Sequence, residues 1–176
     1  MVKGVVLFGK RACGKDTVTE MLKKLVPNSE QLRIAQFVVY ACEALGMENP
    51  TREQLAFVGS EIGRKMIDND IWIKMAAKYA DNNTDKFLIV SDARYINEYE
   101  TFVSRGFIPI FIDTEIPTCI ERAIKRDGYI NMELFNSESE TNYLKFPYDL
   151  RLDNNGDIIE LEKQVVELLE VILKEW

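Results

Sequence analysis

The sequence predicts an α/β fold, a parallel sheet with helices on both faces. Two observations carry that expectation. Short apolar runs rich in β-branched residues alternate with longer amphipathic segments from one end to the other. A glycine-containing loop, Gly9 to Thr17, joins the first apolar run to the first amphipathic segment. No repeat, linker or low-complexity tract interrupts the pattern, so residues 1–176 are expected to form one domain.

Val2 to Phe8 reads as a buried strand closed by Gly9. Asp16 to Val26 carries Val18, Met21, Leu22 and Leu25 at helical spacing, and Pro27 stops it. Leu32 to Ala35 is expected as a short second strand, and Phe37 to Leu45 as a helix ending at Gly46. Thr51 and Gln54 have capping-box spacing and open a helix through Leu55, Val58, Ile62 and Met66. Asp68-Asn69-Asp70 breaks it and starts another, Ile71 to Tyr79, before a turn at Asp81-Asn82-Asn83. Phe87 to Val90 is a clear buried strand. A helix from Asn97 to Arg105 stops at Gly106, and Phe107 to Ile112 is the next strand. Pro117 suits the first turn of a helix reaching Arg126, with Gly128 beyond. Asn131 to Pro147 has no clean period and is expected to be a mobile segment. Tyr148 to Leu152 is a last strand, Asn154-Asn155-Gly156 a turn, and Ile158 to Leu173 a long amphipathic helix.

Composition narrows the function. With 47% apolar residues the chain can fill a sizeable core, and 22 basic against 29 acidic residues leave a net charge of −7. That balance argues against broad contact with nucleic acid or an anionic membrane, while a local arginine cluster still permits small anionic substrates. There is no histidine, which excludes Ser-His and Cys-His catalysis and imidazole metal ligands. Cys13, Cys42 and Cys119 form no C-x-x-C pair, so reduced thiols in a cytosol are expected. The apolar run Val5 to Phe8 is too short for a secretion signal, and no stretch reaches the roughly 20 apolar residues of a spanning helix. A cytoplasmic protein is expected. The even charge pattern leaves monomer and homodimer both open.

Gly9-Lys10-Arg11-Ala12-Cys13-Gly14-Lys15 has the form G-x-x-x-x-G-K between a strand and a helix. Its glycines let successive amides face one point, and the following helix adds about half an elementary charge at its N-terminus. Lys15 is then placed for the β- and γ-phosphates of ATP. The residue after the lysine is Asp16 where Ser or Thr is usual, and Thr17 follows. Thr17 is a candidate ligand for Mg²⁺, and Asp16 a candidate to position the metal or the accepting group. No G-x-G-x-x-G occurs, which disfavours a dinucleotide site.

The strand ending at Asp92, followed by Arg94, puts an acid and a cation at the C-terminal edge of the sheet, where α/β folds bind ligands. Asp92 there can orient Mg²⁺ or its waters. Arg122 and Arg126 share one helix face and suit either the charge of a transferring phosphoryl group or a solvated surface. Arg64 lies in a helix with Gly59 and Gly63, glycines that fit either close approach to a ligand or tight packing. Trp72 and Phe37 suit either a stacked base or the core.

Several segments together resemble the deoxynucleoside monophosphate kinases of phages and bacteria, in the P-loop nucleotide kinase group. They are Gly9 to Thr17, Val58 to Arg64 with Asp70-Ile71-Trp72, Val90 to Glu98, and Asn154 to Leu161, spread over almost the whole chain. The resemblance implies a three-layer α/β/α fold with a parallel, roughly five-stranded sheet. It implies transfer of the γ-phosphate of ATP to a nucleoside monophosphate, with Mg²⁺. Residues 9–17 would bind ATP. Asp16, Arg64, Trp72, Asp92 and Arg94 would face the acceptor, with Thr17 and Asp92 toward the metal. Lys15, Asp16, Arg94, Arg122 and Arg126 would be catalytic, the last two on a mobile lid around 117–147. The protein would act in the host cytoplasm if phage-encoded. One departure stands at Ile34 to Tyr40, which lacks the F-A-x-P-L-K found in such kinases near the acceptor. The G-K-D pattern is also similar to the animal type of phosphomevalonate kinase. A kinase for another small phosphate ester, or an ATP-binding regulatory module without transfer, are the alternatives.

Overall fold

The computed structural model describes residues 3–174. The first expected strand begins one residue outside them, at Val2. Its described part, β1 (Lys3–Phe8), is the centre of a five-stranded parallel sheet. The other strands are β2 (Ser29–Leu32), β3 (Phe87–Val90), β4 (Ile108–Asp113) and β5 (Leu150–Asp153), in the order β2-β3-β1-β4-β5. Val5 sits opposite Ile89 of β3 and Ile108 of β4.

Alternation along the strands makes two cores. Val5, Leu7, Ile89, Ile110 and Ile112 pack with Val18, Cys119 and Val165 of α1 (Lys15–Leu25), α6 (Ile116–Asp127) and α8 (Ile158–Lys174). Val6, Phe8, Leu88 and Val90 pack with Phe37, Trp72 and Phe102 of α2 (Ile34–Ala44), α4 (Ile71–Asn82) and α5 (Ile96–Val103). The chain thus leaves β1 over one face, through α1, and leaves β3 over the other, through α5. Between the C-terminal ends of those neighbouring strands lies the switch-point crevice where open α/β sheets bind ligands.

The second strand corrects an expectation. It covers Ser29–Leu32, and Ile34 and Ala35 already belong to α2. Asp92 explains the shift: its carboxylate accepts the amides of Ile34 and Ala35, each at 3.0 Å, and so caps α2 from a distant point in the chain. The capping box at Thr51 is formed and opens α3 (Arg52–Ala56), but the chain then widens into a π-helix, Phe57–Ile67. Asp81 and Asn82, expected in a turn, finish α4. Residues 131–147 hold a capped helix, α7 (Met132–Phe135), and two 3₁₀ turns, Glu138–Glu140 and Asn142–Lys145, with Phe135 and Phe146 buried. Among the described residues no helix is long and apolar enough to cross a membrane.

Of the two places open to it, Trp72 takes the core. It is 5% exposed, and its indole N–H donates to the Gly59 carbonyl at 2.8 Å. A Cβ on Gly63 would lie 2.3 Å from the Trp72 ring. The two glycines therefore serve tight packing. Gly63→Ala is expected to destabilise the fold by about 1–3 kcal/mol through overpacking, read as a lower urea midpoint. An unchanged midpoint would show that the ring moves aside freely.

Candidate functional site

The C-terminal edge of the sheet opens into a cleft of about 740 Å³, within the roughly 300–1,000 Å³ usual for ligand sites. The loop from Gly9 to Thr17 forms one wall, with Gly9, Arg11, Ala12, Gly14, Lys15, Asp16 and Thr17 on its lining. Gly14 has φ +105°, and a Cβ there would sit 2.2 Å from the Asn154 amide nitrogen. Both facts demand glycine. The Lys15 ammonium spans the loop, donating to the carbonyls of Gly9 at 2.9 Å and Lys10 at 3.0 Å, with the Cys13 sulfur at 3.6 Å. Burial pushes the Cys13 thiol up, so it stays protonated at neutral pH.

Two residues fasten this loop from the far side of the sheet. The Cys13 carbonyl accepts from Thr114 Oγ1 at 2.9 Å and from Asn154 Nδ2 at 2.7 Å. Arg122 donates to the Asn154 carbonyl at 3.0 Å. Its other terminal nitrogen, Nη1, is buried without a partner among the described residues. Arg126 grips Asp127 with two contacts of 2.7 Å, and Arg11 reaches the same carboxylate at 3.0 Å. Those guanidiniums hold Asp127 well below the usual carboxylate range. Arg122 and Arg126 therefore line the cleft together.

The opposite wall comes from the end of β3 and the start of α2. Asp92, Arg94, Arg33 and Arg52 line it. Arg33 lies 3.4 Å from Asp16. The Asp92-Ala93-Arg94 turn is shaped by Glu98, which is 4% exposed and takes the amides of Arg94 at 2.6 Å and Tyr95 at 3.2 Å. Arg64 stands behind this turn, 3.6 Å from Glu98 and over the Tyr95 ring at 5.9 Å, outside the cleft lining. It can orient Arg94 through Glu98 but does not share its wall. Lys10 also points elsewhere: its 3% exposed side chain donates to the Phe135 carbonyl at 2.5 Å. Lys10 is therefore absent from the cleft lining.

Residues 9, 11, 12 and 14–17 of the loop, Asp92, Arg94, Arg122 and Arg126 thus converge on the cleft, while Lys10, Cys13, Arg64 and Trp72 do not line it. Sequence reading missed Arg33, Arg52, Glu140 and Asn154 as part of the site. Only Asn154 carried a signal, the turn-forming Asn-Asn-Gly, which was legible as a turn but not as a clamp on Cys13.

Desolvation raises the Asp92 carboxyl, against the opposing pull of the Ala35 and Ile34 amides and of Arg33 and Arg94. The folded chain therefore keeps this proton to higher pH than the unfolded chain, whose value is about 3.9. Through that window the folded state binds more protons, so this group's contribution to stability falls as pH rises. Asp92→Asn is expected to lose ground to the wild type least at neutral pH and most below pH ~4. Urea melts across that range check it; a deficit that grows with pH would mean that the ionised carboxylate stabilises the fold.

No family model matches the chain, and no curated protein matches it. Solved structures do. A gluconokinase from Sinorhizobium meliloti 1021 superposes with TM-score 0.60 and 12% identity, over 98% of this chain and 97% of that one. A shikimate kinase from Bacteroides thetaiotaomicron gives 0.62 and 17%, over 97% and 98%. TT1252 from Thermus thermophilus gives 0.66 and 14%, over 99% and 97%. The likeness establishes the fold: a five-stranded parallel sheet flanked by helices, of the P-loop kinase type.

Proposed function

We propose that this chain is an ATP-dependent phosphotransferase whose acceptor is a nucleoside monophosphate, in particular a deoxynucleoside monophosphate. The observation that carries it is the charge of one cleft. Among the described residues seven lining side chains are cationic and three are acidic, in a chain of net charge −7. The cations stand on both walls, with the phosphate loop between them. A phosphorylated donor and a phosphorylated acceptor together supply the anions for such a cleft.

On this reading the loop amides and Lys15 hold the β- and γ-phosphates. The unpartnered Arg122 Nη1 suits a ligand oxygen brought beside it. Gly156, Ile158 and Leu161 line the cleft and offer apolar contacts for the donor base. On the other wall Arg94, Arg33 and Arg52 would orient the acceptor phosphate in line with the transferring group. A phosphate oxygen is already a competent nucleophile, so a protein without histidine lacks nothing for this chemistry. Residues 117–147 would act as the lid, bringing Arg122 and Arg126 onto the phosphates and excluding water.

Mg²⁺ also fits. Among the described residues no three His, Cys, Asp or Glu side chains gather into a metal cage, and Mg²⁺ in phosphate sites is carried mainly by phosphates and water. Thr17 is the hydroxyl on the lining that would contribute directly. Asp92, each of whose oxygens already takes an amide, would act through a water. When bound, the ion neutralises charge on the β- and γ-phosphates.

The deciding experiment is chromatographic detection of ADP from ATP and Mg²⁺ against each ribo- and deoxyribonucleoside monophosphate. Turnover with one or more deoxynucleoside monophosphates, giving the matching diphosphate, is expected. The names of the gluconate and shikimate kinases above favour a second reading, a small hydroxy acid as acceptor. Gluconate, shikimate and phosphomevalonate therefore belong in the panel. Turnover with one of them alone would replace the nucleotide acceptor.

A further inference from the structure

Arg94 is not waiting free at its wall. Its Nη1 lies 2.7 Å from Oε1 of Glu140, a residue 46 positions away on the 3₁₀ turn Glu138–Glu140. The Glu140 side chain is 10% exposed and the Arg94 side chain 54%. Both residues line the cleft. A carboxylate thus occupies the donor face of the guanidinium that an acceptor anion would use.

The turn that presents Glu140 is built rather than loose. The Glu140 amide donates to the Ser137 carbonyl at 3.0 Å. The Thr141 hydroxyl reaches the carbonyls of Ser137 and Glu138, each at 3.2 Å. Beneath it the Lys10 ammonium, 4.1 Å from the Phe135 ring centre, bonds the Phe135 carbonyl at 2.5 Å and comes within 3.5 Å of the Glu140 carbonyl. Burial lowers the Lys10 pKa, and the nearby Glu140 charge offsets part of that shift. One segment therefore reaches both walls, the phosphate loop through Lys10 and the acceptor wall through Arg94. An anchored carboxylate of this kind competes at high effective concentration with any anion from solution.

Resting on the phosphotransferase reading above, we propose that Glu140 is an internal stand-in for the acceptor's anionic group: it holds Arg94 until an acceptor displaces it, and so selects acceptor over water. A phosphate monoester brings two negative charges and three oxygens, and Arg33 stands on the same wall to share them. Water brings no charge and leaves the ion pair intact. With Arg94 held by Glu140, the cation that would orient a nucleophile beside the γ-phosphoryl group is occupied. Attack by water on the γ-phosphorus, with cleavage of its bond to the bridging oxygen, release of ADP and loss of the water proton to solvent, is then slow. Displacement of Glu140 frees Arg94 only when the proper nucleophile is present.

The test is a double-mutant cycle on Glu140 and Arg94 with two measurements. Inorganic phosphate is titrated calorimetrically into protein saturated with a non-hydrolysable ATP analogue, and acceptor-free ATP hydrolysis is followed separately. Glu140→Gln is expected to bind phosphate about fivefold tighter, the worth of a partly exposed ion pair. It is also expected to hydrolyse ATP severalfold faster without acceptor. In the Arg94→Ala background Glu140→Gln should change neither quantity. Unaltered or weaker phosphate binding in Glu140→Gln overturns the proposal. A gain that persists without Arg94 overturns it too, because a general charge effect would then explain it. Should Glu140→Gln fail to fold, Glu140→Asp keeps the charge near Lys10 while drawing it back from Arg94, and the same tightening is expected. A protein inactive with every acceptor would sink the phosphotransferase reading, while the phosphate titration would still decide the role of Glu140.

Discussion

Lys15→Ala is expected to lower kcat by on the order of 10³-fold, the scale of removing a preorganised electrostatic contact to the transferring group. The side chain sits at the mouth of α1, at the end of the central strand, with its ammonium poised over the loop. A γ-phosphoryl group in transfer spreads negative charge over its oxygens, and Lys15 is the lysine on the cleft lining. Lys15 belongs to neither apolar core, so the thermal melting transition should remain cooperative. Lys15→Arg is not expected to restore activity, because the planar guanidinium cannot take the place of a compact ammonium spanning the Gly9 and Lys10 carbonyls. Steady-state kinetics with the best acceptor, alongside a melt, checks both statements. Turnover within tenfold of the wild type would remove Lys15 from the reaction.

Arg94→Ala is expected to cost about 10²-fold in kcat/KM, within the range for losing an oriented charge contact in phosphoryl transfer. The backbone of Arg94 is held by Glu98, so its guanidinium is delivered to the cleft by a rigid turn. Its side chain is more than half exposed, and its loss should leave the fold standing. If Arg94 only binds the acceptor, KM rises and kcat is kept; if it also acts in the transition state, both suffer. A loss under twofold would make Arg94 a surface residue.

Local chemistry made much of this legible. β1, β3 and β4 announced themselves by apolar runs, α6 by Pro117 and Gly128, and α3 by its capping box. The loop between β1 and α1 was readable because its spacing, its glycines and its lysine fall within nine consecutive residues. The second strand was misplaced because Asp92, far along the chain, caps α2 and draws Ile34 and Ala35 into the helix. The resemblance placed Trp72 and Arg64 at the acceptor, and it rests on matching motifs rather than on contacts. Trp72 packs against Gly63 and Arg64 pairs with Glu98, and neither lies on the cleft lining.

The chain by itself determined the layered α/β architecture, the place of the glycine-bounded loop after β1, and the acid and arginine at the end of β3, since each follows from periodicity, capping and spacing over a few residues. Tertiary structure alone decided which cations share the cleft and what restrains them. Glu140 meets Arg94 across 46 positions, and Asn154 clamps Cys13 across 141. Such contacts depend on which strand lies beside which and on the face over which each connection crosses. That is set by burial of the two apolar cores as a whole, and no short stretch of sequence encodes it.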